Sequence, residues 1–365
     1  MARDADPIDV DGAPTRDDGS RRREPPPTMR DIATLAGVSQ STVSRVLNDV
    51  ATRVPITEDT RTRVNEAARR LGYRPNPLAR GLRGAPTMLL GAVVRDITDP
   101  FFAGAIEALS EAARSRGYNL VLGHAHSRAD EAIALTTVLE TRHCDAIILL
   151  GDMQDQPRLL EDLRDSSVPV VALWQGSNPL DVPTVDVDNR AGVLAGLEHL
   201  VELGHSRIAF VSARLLGDIR EREAAFVEFM RDRFGGVPDG FVRQVPNTPT
   251  GGEIAAAGLL DLDPSPTAII TSTDTIAIGV LHAASTLGRA VPDDLSVVGF
   301  DDILFASHTI PALTTLRMPT ADIVREGMEL AIDAARDPHQ PRTPTVKVIA
   351  PSLIVRESTA RPRAD

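Results

Sequence analysis

At 365 residues the chain is longer than one ordinary hydrophobic core, so two or three domains are expected. Its 42% hydrophobic and 25% charged residues are those of a globular protein, and no apolar run approaches the ~20 residues needed to cross a bilayer. The single cysteine, Cys144, excludes an internal disulfide and a cysteine-based metal cluster. With no apolar export segment in its acidic, proline-containing N-terminal stretch, the expected compartment is the cytoplasm. A net charge of −12 looks unsuited to nucleic acid until it is divided: residues 28–84 carry +5, residues 1–27 carry −2 and the remainder −15. A basic module on an acidic body attracts phosphates while limiting non-specific adhesion.

Residues 1–27 are rich in Asp, Arg and Pro and bury too little apolar surface to order themselves, so a disordered tail is expected. Its Arg21–Arg23 run reads equally as a source of loose phosphate contacts or as a solvated charge cluster. The stretch Thr28–Asn48, TMRDIATLAGVSQSTVSRVLN, reads as two short helices joined by a tight turn. Ile32, Ala33 and Ala36 share one face. Gly37 permits a left-handed turn, Val38 plugs the angle and Ser39 can cap the second helix. On that helix Val43, Val46 and Leu47 point inward, while Gln40, Ser41, Ser44, Arg45 and Asn48 point out. Such a face of short polar side chains, amides and one arginine suits the reading of base edges in a major groove.

A third helix opens at Thr57 with Glu58 and Asp59 in its first turn, and Val64, Ala67, Ala68 and Leu71 form the stripe that closes a headpiece over residues 28–74. Within residues 75–86, Pro75, Pro77, Gly84 and Pro86 leave room for about two helical turns, too few to be stable alone. Leu78, Ala79 and Leu82 have no core to enter. That combination fits a hinge that folds in a minor groove with Leu82 as an apolar wedge; a plain Pro/Gly linker is the alternative.

From Met88 the pattern alternates. MLLGAVV, YNLVLG, CDAIILL, VPVVAL, RIAFV, TAIITS and LSVVGF suit buried parallel strands, with helical segments such as FFAGAIEALSEAARSRG and TIAIGVLHAASTLG between them. The expectation is an α/β fold of doubly wound parallel sheets, divided into two lobes. Their cleft receives the carboxyl ends of the strands.

These motifs, in order and spacing, resemble bacterial transcriptional regulators of the lactose repressor/galactose repressor family. The resemblance rests on RDIATLAGVSQSTVSRVLN, LGYRPNPLARGLRG, DITDPFF, TVDVDNRAG, LGHSRIAFV, VPDDLSVVGFDD, PALTTLRMP and VRES, and covers essentially everything after residue 27. It implies a helix-turn-helix headpiece, a hinge helix and a periplasmic-binding-protein-like core over 87–360. The first lobe is expected over about 87–186 plus 318–346, the second over about 187–316 plus 347–360. It also implies a homodimer on double-stranded operator DNA, regulated by a small-molecule effector, most simply a carbohydrate, with no cofactor, no metal and no membrane.

Carried over by position, Gln40, Ser41 and Arg45 match base-reading residues, and Thr42, Ser44 and Asn48 match phosphate-contacting or positioning ones. Leu82 matches the wedge, with Ala79 beside it. In the core the resemblance points to Phe102, Trp174, Asp188, Arg222, Asp274 and Asp301 as effector ligands. Asn247 stands in VPNTPTGGE where relatives often carry an aromatic, which makes that side of the pocket more polar. Several positions have plainer readings: Asp188 and Asp274 as helix caps, Arg222 and Asp301 as a structural pair, Phe101 and Phe102 as packing residues. The loop SARLLGDIRER carries no recognisable effector signature.

An enzyme would need a catalytic constellation, and the chain has no GxxxxGK, no GxGxxG after the first strand and no HExxH. His124 and His126 alone make a weak metal signal. An exported sugar-binding protein would share the core but has no use for the headpiece. A nucleoside, a corepressor or a protein partner remain alternatives to a sugar.

Overall fold

The computed structural model describes residues 27–47, 56–73, 86–153, 156–164, 166–176, 181–213, 217–337 and 344–363. Asn48, the hinge residues Ala79 and Leu82 and the tail over 1–26 lie outside the described residues. The chain divides into two compact units, Met1–Asn76 and Pro77–Asp365.

In the first unit, α1 (Met29–Ala36) starts at a reciprocal cap: the Thr28 hydroxyl accepts from the Asp31 N–H at 3.4 Å, and the Asp31 carboxylate accepts from the Thr28 N–H at 2.8 Å. Gly37 ends it at φ +66°, turning the chain into α2 (Gln40–Leu47). There the Ser39 hydroxyl accepts from the Thr42 N–H at 3.1 Å. Thr57 caps α3 (Glu58–Leu71) in the same way. Ile32, Ala33, Ala36, Val43, Val46, Val64, Ala67 and Ala68 form the shared core, with Val38, Leu47 and Leu71 half-buried against it.

The second unit begins with β1 (Leu89–Val94), α4 (Pro100–Ser115), β2 (Asn119–His124), α5 (Ala129–Thr141), β3 (Ala146–Leu150), α6 (Gln156–Arg164), β4 (Val170–Leu173) and β5 (Thr184–Val187). It continues through α7 (Asn189–Glu202), β6 (Ile208–Ala213), α8 (Gly217–Phe234), β7 (Val242–Val245), α9 (Pro249–Leu260), β8 (Ala268–Thr271), α10 (Asp274–Thr286) and β9 (Ser296–Asp301). After a 3-10 turn at Leu304–His308 come β10 (Thr314–Arg317), α11 (Thr320–Arg336), β11 (Val346–Ile349) and β12 (Ser352–Ile354). One sheet has the order β2-β1-β3-β4-β5-β11 and is all parallel; the other is β7-β6-β8-β9-β10-β12, parallel except for β12 against β10. Each sheet reverses direction about its first strand, between β1 and β3 and between β6 and β8. Crevices for ligands form at such switch points.

Three passages join the lobes, after β5, after β10 and between β11 and β12. Two of the expected boundaries shift as a result. Val187 still pairs with Ile349 in the first sheet, and residues 347–349, expected in the second lobe, continue from Val346 along that same sheet. The physical reason is that β11 is an edge strand with Val346 and Val348 about half exposed, so it lacks the continuous apolar run that marks a buried strand. Strands β5, β7, β10 and β12 are likewise only three or four residues long, and none stands out as an apolar block.

Helices α9 and α10 cross at near contact through glycines. A Cβ on Gly279 would lie 1.9 Å from the Pro249 carbonyl oxygen, and one on Gly252 would lie 2.1 Å from that of Ile276. Gly279→Ala must therefore push two backbones apart. We expect a loss of about 2–3 kcal/mol of stability in denaturant unfolding, whereas Gly258→Ala, on the same helix pair with open space around it, should cost nothing.

Candidate functional site

The carboxyl ends of both sheets face one cleft. Arg95 follows β1, Trp174 follows β4, and Asp99, Phe101 and Phe102 stand at the start of α4; the second lobe contributes Asp218 and Arg222 from α8, Thr273 before α10 and Asp301 at the end of β9. Side chains fill the cleft so closely that the free space is 10 Å³, about one water molecule.

Two buried guanidiniums organise it. Arg95 Nη1 lies 3.2 Å from Asp152 Oδ1 and 3.4 Å from Asp218 Oδ1, its Nη2 lies 3.9 Å from Asp99, and the group sits 4.9 Å from the centre of the Phe102 ring. Arg222 donates from Nε to Asn189 Oδ1 at 2.8 Å and from Nη1 to the Ser272 carbonyl at 2.6 Å. Its Nη1 also reaches Asp301 Oδ1 at 3.4 Å, and the guanidinium lies 3.7 Å over Phe300.

The lobes meet through the Arg95–Asp218 pair, through the Gly217 N–H donating to Asp152, and through Asn247 Nδ2 donating to Asp99 Oδ2 at 3.1 Å. A Cβ on Gly176, at φ +63°, would lie 2.2 Å from the Asp218 nitrogen, so backbone meets backbone there.

Burial sets the titration of this cluster. It opposes the charge on Arg95, but the Asp218, Asp152 and Asp99 carboxylates outweigh it and raise the Arg95 pKa. Burial pushes Asp152 up to about 7, with the Asp218 charge adding to it. It lifts Asp301 well above the usual carboxylate range despite Arg222, and it raises Asp99. Asp218 is the exception: burial would raise it, yet Arg95 and Arg222 together hold it below its ordinary value. Asp301 and Trp174 also adopt positive φ, +120° and +58°, conformations that non-glycine residues keep where the surroundings hold them.

Of the residues singled out in the sequence, Phe102, Trp174, Arg222 and Asp301 come together in the cleft, and Phe101 joins them, its ring edge-on to Trp174 at 5.2 Å. Three do not line it. Asp188 caps α7, accepting from the Ala191 N–H at 2.8 Å, and faces a separate groove with Arg190 and Glu228. Asp274 is fully buried, accepting from the Ile303 N–H at 2.9 Å and the Thr315 hydroxyl at 2.5 Å; burial pushes its pKa up to about 7. Asn247 spends its amide on Asp99 and Thr273, so it ties the lobes together instead of facing the cavity.

Arg95, Asp99 and Asp218 escaped the sequence reading. The available signal was position, since Arg95 directly follows a buried strand and Asp99 precedes Pro-Phe-Phe at a helix start. In the first unit Gln40, Ser41 and Arg45 are exposed, Thr42 and Ser44 half-buried, and Val43 and Val46 buried, so α2 presents one polar face.

The raised Asp152 value has a measurable sign. An unfolded carboxyl titrates near ~3.9, so the folded state holds a proton that the unfolded state has lost between about pH 4 and 7. Relative to Asp152→Asn, the parent protein should lose stability as pH rises through that window and show a constant deficit above it. Melting temperatures of both proteins from pH 4.5 to 8 check this; a deficit that shrinks with rising pH contradicts it.

Comparison with known proteins agrees with this architecture. Residues 28–76 match the family described as bacterial regulatory proteins, lacI family, and residues 197–359 match the periplasmic binding protein-like domain. The chain is 32% identical over 322 residues to the HTH-type transcriptional repressor CytR of Escherichia coli strain K12, a match covering 88% of this chain and 93% of that one. It superposes on the lac repressor dimer bound to operator and the anti-inducer ONPF with a TM-score of 0.81 at 26% identity, covering 92% of this chain and 100% of that one. For the transcriptional regulator CelR in complex with cellobiose, the TM-score is 0.67 at 31% identity, covering 91% and 99%. No helix among the described residues is long and apolar enough to cross a membrane. The chain belongs to the lacI family of DNA-binding bacterial transcriptional regulators.

Proposed function

We propose that the protein is a repressor that binds a pseudo-palindromic operator as a homodimer and releases or tightens its grip when a sugar or sugar derivative occupies the cleft between the lobes. The observation that carries this reading is the pairing, in one chain, of a polar helix face with a cleft of aromatic rings and buried charge. On α2, Gln40, Ser41 and Arg45 are exposed where they could meet base edges, while Thr42 and Ser44 lie at the margin where phosphates would pass. In the cleft, Phe101 and Trp174 offer apolar ring surface to a sugar face, and Asp301 and Arg222 offer an acceptor and a donor to its hydroxyls. The lac repressor's structure on its operator and the cellobiose complex of CelR support both halves of the reading.

Opening is part of the mechanism. A free space of 10 Å³ cannot hold a monosaccharide, so the lobes must separate along the Arg95–Asp218, Asp152–Gly217 and Asn247–Asp99 contacts before a ligand enters. The ligand then favours whichever lobe arrangement it contacts better, and the sign of regulation follows from that preference.

Three outcomes test the reading. In a melting screen of the full chain against sugars, polyols and nucleosides, a sugar at 100 times its Kd should stabilise by ~2.7 kcal/mol; a nucleoside hit with no sugar hit would overturn the carbohydrate assignment. The Trp174 indole Nε1 is buried with no acceptor among the described residues, so Trp174→Phe removes an unpaired donor. We expect the variant to melt no lower than the parent but to need roughly threefold to tenfold more effector, the worth of one hydrogen bond. Arg45→Ala should weaken binding to the preferred operator by about 1–3 kcal/mol and relax selectivity at one base pair, as read by competition between operator variants.

A further inference from the structure

The same cleft contains features that ordinarily receive a phosphate or carboxylate, buried guanidiniums and helix N-termini, yet each is already matched by a group of the chain, most of them acids. The two guanidiniums are held by Asp99, Asp152, Asp218 and Asp301, which outnumber them. The N-terminus of α4 is capped by Asp99, whose Oδ1 accepts from the Phe101 N–H at 3.1 Å. Asp218 occupies the first turn of α8, and the Thr273 side chain caps α10. Helix N-termini and buried arginines attract anions only while their donors and charge are unmatched.

We propose that the cleft selects against negative charge: it takes effectors that present hydroxyls or a cationic amino group and excludes phosphorylated or carboxylated ones, with Asp99 and Asp301 enforcing the discrimination. The proposal rests on the assignment of the cleft as the effector site. An entering phosphate adds negative charge to a buried cluster in which two guanidiniums already serve four carboxyl groups, and which holds Asp152 and Asp301 above the usual carboxylate range because it cannot carry all of its own charge. A hydroxyl or ammonium meets acceptors, and the Phe101 and Trp174 rings add a surface that tolerates a C–H face or a cation. The unpaired Trp174 N–H supplies a donor for a neutral oxygen.

Matched pairs test this with the full chain and melting temperature as readout: glucose and glucose 6-phosphate, glucosamine and glucosamine 6-phosphate, cellobiose and cellobionate, adenosine and its 5′-monophosphate. Inorganic phosphate at equal concentration supplies the baseline for anions taken up by the basic headpiece. In any pair that shifts the melt, the uncharged or amino member should bind at least tenfold more tightly. A sugar phosphate binding as well as its parent overturns the charge rule while leaving the sugar assignment standing. A nucleoside that binds while its monophosphate does not overturns the sugar assignment while upholding the charge rule, and no shift in any pair overturns both. Asp301→Asn and Asp99→Asn should each narrow the discrimination at least threefold; discrimination unchanged in both variants removes these residues from the role.

Discussion

Arg95 and Arg222 are both almost wholly out of water, and a buried guanidinium persists only where carboxylates and hydrogen-bond acceptors surround it. Here those partners come from both lobes. Arg95 leaves β1 in the first lobe and reaches Asp218 in the second, while Arg222 is anchored in the second lobe by Ser272 and by Asn189, just past the crossing from β5. Breaking either set exposes charges that are tolerated only because they are paired. The closed arrangement is therefore one coherent state of the cleft, and separating the lobes must re-solvate the Arg95 network as a group. A network that must break as a group favours discrete lobe arrangements over a continuum, the property on which the proposed effector response draws.

The fold places this network through repetition. Two sheets of the same strand order present their switch points to one another, so the residues that directly follow β1, β3, β4 and β8 converge without any being adjacent in sequence. Gly176 lets the backbones of the two lobes meet beside Asp218, and Asn247 reaches across to Asp99. In the first unit, capping and turn chemistry do comparable work at smaller scale. The Thr28–Asp31 box, the left-handed Gly37 and the Ser39 cap fix the angle between α1 and α2, leaving the polar face of α2 free.

Much of this was legible in the residues. The seven apolar runs read as strands became strands, and the periodicity of Ile32, Val43, Val46, Val64 and Ala67 defined the headpiece core because local pattern and packing agree there. Trp174 and Asp301 stand at strand ends and Arg222 on a helix within a matching motif, and the structure brings the three together in one cleft. What stayed hidden was non-local. Nothing in the sequence around Arg95 says that Asp152 and Asp218 will flank it, since 57 and 123 positions separate them from it. Asp188 and Asp274 misled because an acid at a helix start serves equally as a cap or as a ligand group. Asp188 does cap α7 through the Ala191 N–H, whereas Thr273 caps α10 and Asp274 ties that helix to Ile303 and Thr315. Edge strands β11 and β12 went unseen because exposed strands need no apolar block.

Coupling between cleft and DNA is the claim on which the functional reading depends, and one titration addresses it. A preferred duplex selected from a random pool is bound to the full chain, and its affinity is measured by fluorescence anisotropy with and without a saturating ligand that raises the melting temperature. An allosteric regulator should change affinity for that duplex by about fivefold or more, with little change on a non-specific duplex of equal length. Equal affinity for the selected duplex in both conditions would contradict the proposed regulation.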